Sequence, residues 1–200
     1  FLITRLIKFS GYSAVIFVGM IFFFLLKEGL PTLTEVPLGD LFATRWYPIE
    51  SYYGILPLIS GSILVTVGAG IIAVPFGIGV AIYLAEIAPR WLRNTLKPLV
   101  ELLGGLPSVV LGFLGILILS PTLRVTLNLP TGLTALSGAL LLGGIAIPTV
   151  VSISEDALDA VPKSYRDAAL ALGATRWQTI WRVTLPAARS GVLTAVMLGV

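Results

Sequence analysis

Few side chains in this sequence could carry covalent or acid–base chemistry. The chain has no cysteine and no histidine, which excludes disulfides, thiol nucleophiles, histidine general bases and the usual zinc ligands. It also lacks the Gly-x-x-x-x-Gly-Lys-Ser/Thr spacing with which a P-loop binds phosphates. We therefore expect no catalytic residue, no metal site and no cofactor in this chain itself.

A polar segment at residues 155–186 lies between long uncharged runs and carries most of the remaining functional information. Ser164 and Asp167 have the spacing of a capping box, and Thr175 opens a second one. Gly173 separates the two helices that these signals predict, because glycine commonly ends a helix in a left-handed turn. The sequence therefore predicts a helix, a glycine turn and a second helix outside the membrane.

One face of the first predicted helix is suited to docking. Tyr165, Ala168, Ala169 and Leu172 recur on that face, and the small alanines beside Gly173 allow the backbone of a partner to approach closely. An ordinary amphipathic helix on the membrane surface would instead favour a wide basic and apolar face. The small residues and mixed charges of this segment argue against that alternative.

A second candidate site combines glycine, proline and hydroxyl side chains within the uncharged runs. A proline and two glycines can break a membrane helix and expose backbone groups to a passing anion, but the same residues also serve packing and kinking. Serine and threonine hydroxyls can face a substrate or bond to their own helix backbone. The candidate pathway residues are Gly104, Gly105, Pro107, Ser108, Thr149 and Ser152.

The composition is that of an integral membrane protein. Hydrophobic residues make up 56% of the chain, charged residues make up 12%, and the mean hydropathy is +0.99. Soluble domains are roughly 25% charged. The net charge of +3 comes from basic residues dispersed over separate loops, a distribution that does not indicate nucleic-acid binding.

Uncharged runs predict four complete membrane spans, at residues 9–26, 51–85, 102–123 and 125–154. The second and fourth runs exceed one span, so we expect bends or loops near Pro57 and Pro75 and near Pro130. The apolar run after Arg189 predicts the start of a fifth span. Because the chain begins at Phe1 and stops within that run, we expect it to be a fragment of a longer protein.

The distribution of lysine and arginine predicts the orientation of these spans. With a cytoplasmic N-terminus, the basic residues inside are Arg5, Lys8, Arg90, Arg93, Lys97, Lys163, Arg166, Arg176, Arg182 and Arg189, and those outside are Lys27, Arg45 and Arg124. We therefore expect segment 155–186 in the cytoplasm and the aromatic loop at residues 29–53 outside. Glu101 is expected to pair with Lys97, four residues before it.

The polar segment resembles the signature of bacterial ABC importer permeases, which reads Glu-Ala-Ala, three residues, Gly, nine residues and Ile-x-Leu-Pro. The matching residues are Asp167-Ala168-Ala169, Gly173 and Val183-Thr184-Leu185-Pro186, with Asp for Glu and Val for Ile. Segments 81–86, 104–115 and 156–177 are similar to permeases of phosphate importers, and closest to their C-type subunit. The resemblance covers nearly all of the chain after Tyr53.

The resemblance implies an all-α, polytopic type I ABC importer transmembrane domain in residues 1–200, with a cytoplasmic ATPase-coupling loop at residues 155–186. It implies a bacterial or archaeal plasma (inner) membrane. The implied partners are a second homologous permease, two ABC ATPase subunits that bind ATP and Mg, and an extracytoplasmic phosphate-binding protein. The implied coupling residues are Asp167, Ala168, Ala169, Gly173, Leu185 and Pro186.

We expect the chain to be a permease subunit of a phosphate importer on these grounds. A permease for another oxyanion, such as molybdate or sulfate, is the nearest alternative. A membrane scaffold that uses the cytoplasmic loop for docking without transport is the alternative of a different class.

Cysteine labelling tests the expected orientation in this cysteine-free chain. Single cysteines in place of Thr44 and Thr175 should react with a membrane-impermeant maleimide from opposite sides of an intact membrane. Thr44→Cys should react from outside, because the basic residues retain the later loop in the cytoplasm. Labelling of both positions from the same side would show the predicted orientation to be wrong.

Overall fold

The computed structural model describes residues 2–35, 37–50 and 52–200. The chain divides by its internal contacts into two compact units, Phe1–Ser60 and Gly61–Val200. The division falls inside one long helix.

A long apolar helix opens the first unit. Helix α1 spans Leu2–Glu35, and the short helix α2 follows at Leu38–Leu41. The large apolar side chains of α1 are exposed from Ile3 to Leu30, as expected where lipid is the solvent. The helix includes the predicted first span at residues 9–26 and extends beyond both of its ends.

A short β-hairpin completes the first unit and contains the only strands among the described residues. Strand β1 (Trp46–Tyr47) pairs antiparallel with β2 (Tyr52–Tyr53), and a 3-10 turn occupies Pro48–Glu50. The rings of Trp46 and Tyr53 meet edge to face, with centroids 6.3 Å apart. Gly54 then passes so close to the backbone that an added Cβ would lie 2.2 Å from the Ala43 carbonyl oxygen.

The second unit is helical. Its helices are α3 (Leu56–Ile82), in which the division falls, α4 (Arg90–Gly104), α5 (Ser108–Leu114), α6 (Ser120–Thr126), α7 (Ala135–Asp159), α8 (Lys163–Ala171), α9 (Arg176–Thr179), α10 (Leu185–Ala187) and α11 (Arg189–Gly199). π-Helical turns extend α3 (Tyr83–Ile87), join α5 to α6 (Gly115–Leu119) and join α9 to α10 (Ile180–Thr184).

Four helical segments of the described chain are long and apolar enough to cross a membrane. They are Ile3–Pro31, Leu56–Ile87, Ser108–Thr126 and Ala135–Asp159. The predicted all-α, polytopic architecture with four complete spans is confirmed.

The bounds of the spans differ from the prediction where helices break. Gly105 caps α4 and Pro107 precedes α5, so the third span begins with α5 and residues 102–104 belong to α4. The fourth span begins with α7, after a loop that contains Pro130, as expected. No loop forms at Pro75, which lies inside α3, because membrane helices tolerate proline. Pro57 lies in the first turn of α3, directly after the loop that precedes this helix.

Helix α7 packs against α3 and α11 through small residues. A Cβ added to Gly77 of α3 would lie 2.6 Å from Cγ1 of Val150, and one added to Gly199 of α11 would lie 2.5 Å from Cγ2 of the same valine. A Cβ added to Gly191 would lie 2.4 Å from Cβ of Ala157. Glycines allow this close approach, on which helix association in lipid depends. Helix α7 is therefore the central helix of the second unit.

A hydrophobic cluster at the C-terminal end of α7 holds the polar segment in place. Leu158 and Val161 are buried there, next to the end of α3 and the start of α11. The other buried members are Ala81, Ile82, Ile180, Ala188 and Val192. The cluster thus fixes the beginning and the end of the segment that contains α8.

Replacing Gly77 tests the packing of α3 on α7. Gly77→Val should lower the free energy of unfolding by about 1–3 kcal/mol, because the added side chain overlaps Val150 and overpacking costs this much. The matched control is Gly79→Val on the same helix, where an added Cβ meets nothing within 4 Å. Thermal unfolding in detergent should separate the two variants, and equal stability of both would contradict this packing.

Candidate functional site

Helix α8 ends in a glycine turn, as predicted. Gly173 has φ +84°, a left-handed conformation that glycine adopts without strain. Its N–H donates to the Leu170 carbonyl at 3.0 Å, and the Ala174 N–H donates to the Ala169 carbonyl at 3.1 Å. These two bonds form a Schellman motif, which satisfies carbonyls at the end of α8.

One of the two predicted capping boxes is present. The Thr175 hydroxyl accepts from the Gln178 N–H at 3.2 Å, and the Gln178 side chain accepts from the Thr175 N–H at 2.9 Å. The predicted capping box at Ser164 and Asp167 is wrong. Extended backbone at Pro162 starts α8 at Lys163, two residues earlier than a cap at Ser164 would, which places Ser164 inside the helix.

An open apolar groove of about 670 Å³ lies along α8. The four residues of the predicted docking face all line it, together with Ser164, Ala174, Gln178, Arg182 and Val183 from the rest of the loop. Leu172 is 90% exposed. An exposed apolar surface of this kind commonly marks a protein interaction site. The predicted docking face is therefore one continuous surface, which we call the α8 groove.

The remaining predicted coupling residues lie outside the α8 groove. Asp167 lines a separate polar cavity of about 400 Å³, and its position inside α8 means that it does not cap that helix. Leu185 packs against the hydrophobic cluster, and Pro186 is exposed at the start of α10. Of the six predicted residues, the structure gathers only Ala168, Ala169 and Gly173 at the groove and its adjoining turn.

The predicted pathway residues occupy two places. Four of them surround the break between α4 and α5, where Gly104, Gly105, Pro107 and Ser108 are all exposed. Thr149 and Ser152 are half-buried on α7. A Cβ added to Gly104 would lie 3.6 Å from Cβ of Pro148, an ordinary contact that places the break beside α7.

Sequence reasoning missed a charge network that joins α4 to the end of α7. Arg93 Nε donates to Glu155 Oε1 at 2.8 Å, and Arg93 also pairs with Asp159. Lys97 Nζ lies 2.7 Å from Glu155 Oε2 and 2.8 Å from Asp156 Oδ1. The sequence signal that could have revealed this network is the matched spacing of four residues from Arg93 to Lys97 and from Glu155 to Asp159. Because Lys97 pairs with α7, the predicted pair with Glu101 is wrong.

The pKa of Lys97 reflects this network. Burial lowers the pKa of the ammonium, but hydrogen bonds and charges of Asp156 and Glu155 outweigh burial and raise it to about 12, from an ordinary 10.5. A raised pKa in the folded state means that the contribution of Lys97 to stability is fully present below pH 10.5 and is lost as the pH rises through about 12. Lys97 therefore stays charged near neutral pH.

Comparison with known proteins gives the family. A profile of the family described as "Binding-protein-dependent transport system inner membrane component" matches residues 73–200. The chain therefore belongs to this family of membrane-spanning transport components. The fold is also similar to that of a methionine ABC transporter, MetNI, in an inward-facing conformation, with a TM-score of 0.61 at 23% identity over 72% of this chain and 69% of that chain. The fold is that of a type I ABC importer.

Several curated relatives are similar in sequence. A probable ABC transporter permease protein, YqgH of Bacillus subtilis, is 46% identical over 82% of this chain and 53% of its own length. The phosphate transport system permease protein PstC of Xylella fastidiosa is 36% identical over 79% of this chain and 55% of its own. PstC of Pasteurella multocida is 30% identical over 90% and 65%. The chain thus spans about half to two thirds of the length of these relatives.

The charge network predicts unequal costs for removing its carboxylates. Glu155 is 0% exposed, so Glu155→Ala breaks a buried ion pair and should lower the free energy of unfolding by about 3 kcal/mol. This value is the lower end of the range for a broken buried pair, because Arg93 and Lys97 keep their other partners. Asp156→Ala is the matched control, since the Asp156 side chain is 66% exposed and such pairs contribute at most about 1 kcal/mol. A larger loss in the Asp156 variant would contradict this ranking.

Proposed function

We propose that the chain is the membrane permease of an ATP-driven phosphate importer, and that it forms part of the translocation path. The observation that carries the proposal is the exposed apolar α8 groove beside the Gly173 turn, in a member of a family of binding-protein-dependent transport components. The substrate is proposed from the names of the PstC relatives.

The proposed partners supply what this chain does not. Two ABC ATPase subunits bind ATP and Mg and perform the hydrolysis, so the permease itself is not catalytic. A second homologous permease completes the path, and an extracytoplasmic binding protein delivers phosphate. The Lys/Arg distribution supports a cytoplasmic position for α8 and for the N-terminus, with the β-hairpin outside.

The proposed coupling residues have distinct roles. Ala168 and Ala169 leave room for close approach of an ATPase subunit, and Gly173 permits the turn that bounds this surface. Asp167 is exposed and available to pair with a cation of the partner. Leu185 holds the second half of the loop against the hydrophobic cluster, and Pro186 begins α10.

The proposed anion path uses weak contacts. Among the described residues the hydroxyls of Thr149 and Ser152 make no hydrogen bond, whereas Thr122 and Thr194 donate to the carbonyl four residues earlier. The break at residues 104–108 adds an exposed hydroxyl, that of Ser108, and backbone groups. Arg124 is the only charged residue from 102 to 154, so phosphate would meet few fixed charges and be released readily.

Transport by the complete complex in liposomes tests the proposed function. Labelled phosphate should accumulate only with ATP on the ATPase side and binding protein on the other, and excess unlabelled phosphate should compete at much lower concentration than molybdate or sulfate. Stronger competition by molybdate or sulfate would favour the other oxyanion. An importer of this class would be contradicted if phosphate, molybdate and sulfate, each supplied in labelled form, all showed no ATP-dependent uptake.

Substitutions at Gly173 test the coupling role of the turn. An added Cβ meets nothing within 4 Å, so any effect arises from the left-handed backbone and not from a clash inside the chain. Gly173→Val should reduce uptake by about tenfold, since the left-handed region costs an ordinary residue roughly 1–2 kcal/mol. Gly173→Asn should retain most of the uptake because asparagine tolerates this region. Equal uptake by both variants would show that the turn conformation is not required.

A further inference from the structure

The guanidinium of Arg166 makes four contacts at the inner side of α8. Its Nε and Nη2 donate to Oε1 of Glu86 at 2.9 and 2.6 Å. Its Nη1 donates to the Val161 carbonyl at 2.7 Å, and Nη2 also donates to the Leu158 carbonyl at 2.8 Å. The planar fork of arginine therefore reaches a carboxylate and two carbonyls at once, which a lysine ammonium cannot do in the same geometry.

These contacts connect α8 to two membrane spans. Glu86 lies in the π-helical turn that ends the second span, and Leu158 lies in the last turn of α7, which ends the fourth. The Leu158 carbonyl also accepts the Val161 N–H at 3.2 Å, and a cation is favourable at the C-terminal end of a helix. Arg166 therefore contacts the ends of both spans on the side where the loop begins.

Little else attaches α8 through its side chains. No residue of α8 is buried. Within the described part of the chain, Arg166 makes all the side-chain hydrogen bonds of α8. The Glu86 side chain is 10% exposed, so separating the pair would leave a largely buried carboxylate without its partner. The hydrophobic cluster fixes the chain on both sides of α8, and Arg166 is the residue within α8 whose side chain bonds it to the spans.

We propose that Arg166 is the positioning residue that transmits movement of α8 to the second and fourth spans through Glu86 and the carbonyls of Leu158 and Val161. The inference rests on the proposed docking of an ATPase subunit in the α8 groove. Arg166 lies outside that groove, so its substitution should weaken transmission without removing the docking surface.

The test uses the complete transport complex in liposomes with Arg166→Ala, Arg166→Lys and Glu86→Gln. The control is Arg90→Ala, an exposed arginine without an ion pair among the described residues. The three variants should assemble with their ATPase subunits and hydrolyse ATP. The phosphate imported per ATP should fall by about tenfold in Arg166→Ala, the size of an ordinary coupling between two sites. Arg166→Lys should show a smaller loss, because lysine keeps the charge pair with Glu86, and the control should match the parent.

A second readout does not depend on the substrate. Gly79→Cys places a single thiol on α3 at a position open to its surroundings. The rate at which a maleimide modifies this thiol should change when ATP is added to the otherwise parental complex. The same addition should change the rate much less when the complex also carries Arg166→Ala. Absence of phosphate uptake by the parent would contradict the proposed function alone, since this second readout still reports on Arg166. The role of Arg166 would be overturned if Arg166→Ala left unchanged either the effect of ATP on the modification rate or the phosphate imported per ATP. It would also be overturned if all three variants failed to assemble, because that result would indicate a structural role only.

Discussion

The hydrocarbon core of a membrane offers no hydrogen-bond partners, and this constraint governs both the backbone and the charged side chains of the spans. Backbone groups in the spans are satisfied within helices, and close helix contacts depend on glycines such as Gly77, Gly191 and Gly199. Charged side chains of the spans lie near the ends of those spans. The clearest case is the end of α7, where Glu155 is buried but is met by Arg93 and Lys97 of α4.

The same constraint explains how an exposed helix can be attached to buried ones. Helix α8 lies outside the spans and buries no residue, so its apolar groove is available to a partner. The attachment to the spans is polar. Arg166 bonds to Glu86 and to the carbonyls of Leu158 and Val161, at or just after the ends of two spans. An outward apolar face and an inward polar contact on one short helix are the features that a transmitting element requires.

Much of this structure could be predicted from local signals in the sequence. Uncharged runs predicted the spans, and glycine and threonine patterns predicted the Gly173 turn and the Thr175 cap. Errors arose where a neighbouring residue or a distant helix decided the outcome: Pro162 displaced the cap predicted at Ser164, and α7 supplied the partners of Lys97. The Arg166 contact with Glu86 joins residues 80 positions apart, so no local pattern could reveal it.

The central claim is that the main docking surface for an ATPase subunit is the α8 groove, with Asp167 as a contact at its edge, and that the subunit does not enter the polar cavity behind Asp167. Photocrosslinking from two positions of the loop distinguishes them most directly. A photoreactive residue in place of Leu172 lies in the groove, and one in place of Leu170 lines the polar cavity. In the intact complex the Leu172 derivative should form a covalent product with the ATPase subunit in far higher yield than the Leu170 derivative. The reverse ranking, or no product from Leu172 in an assembled complex, would contradict the claim.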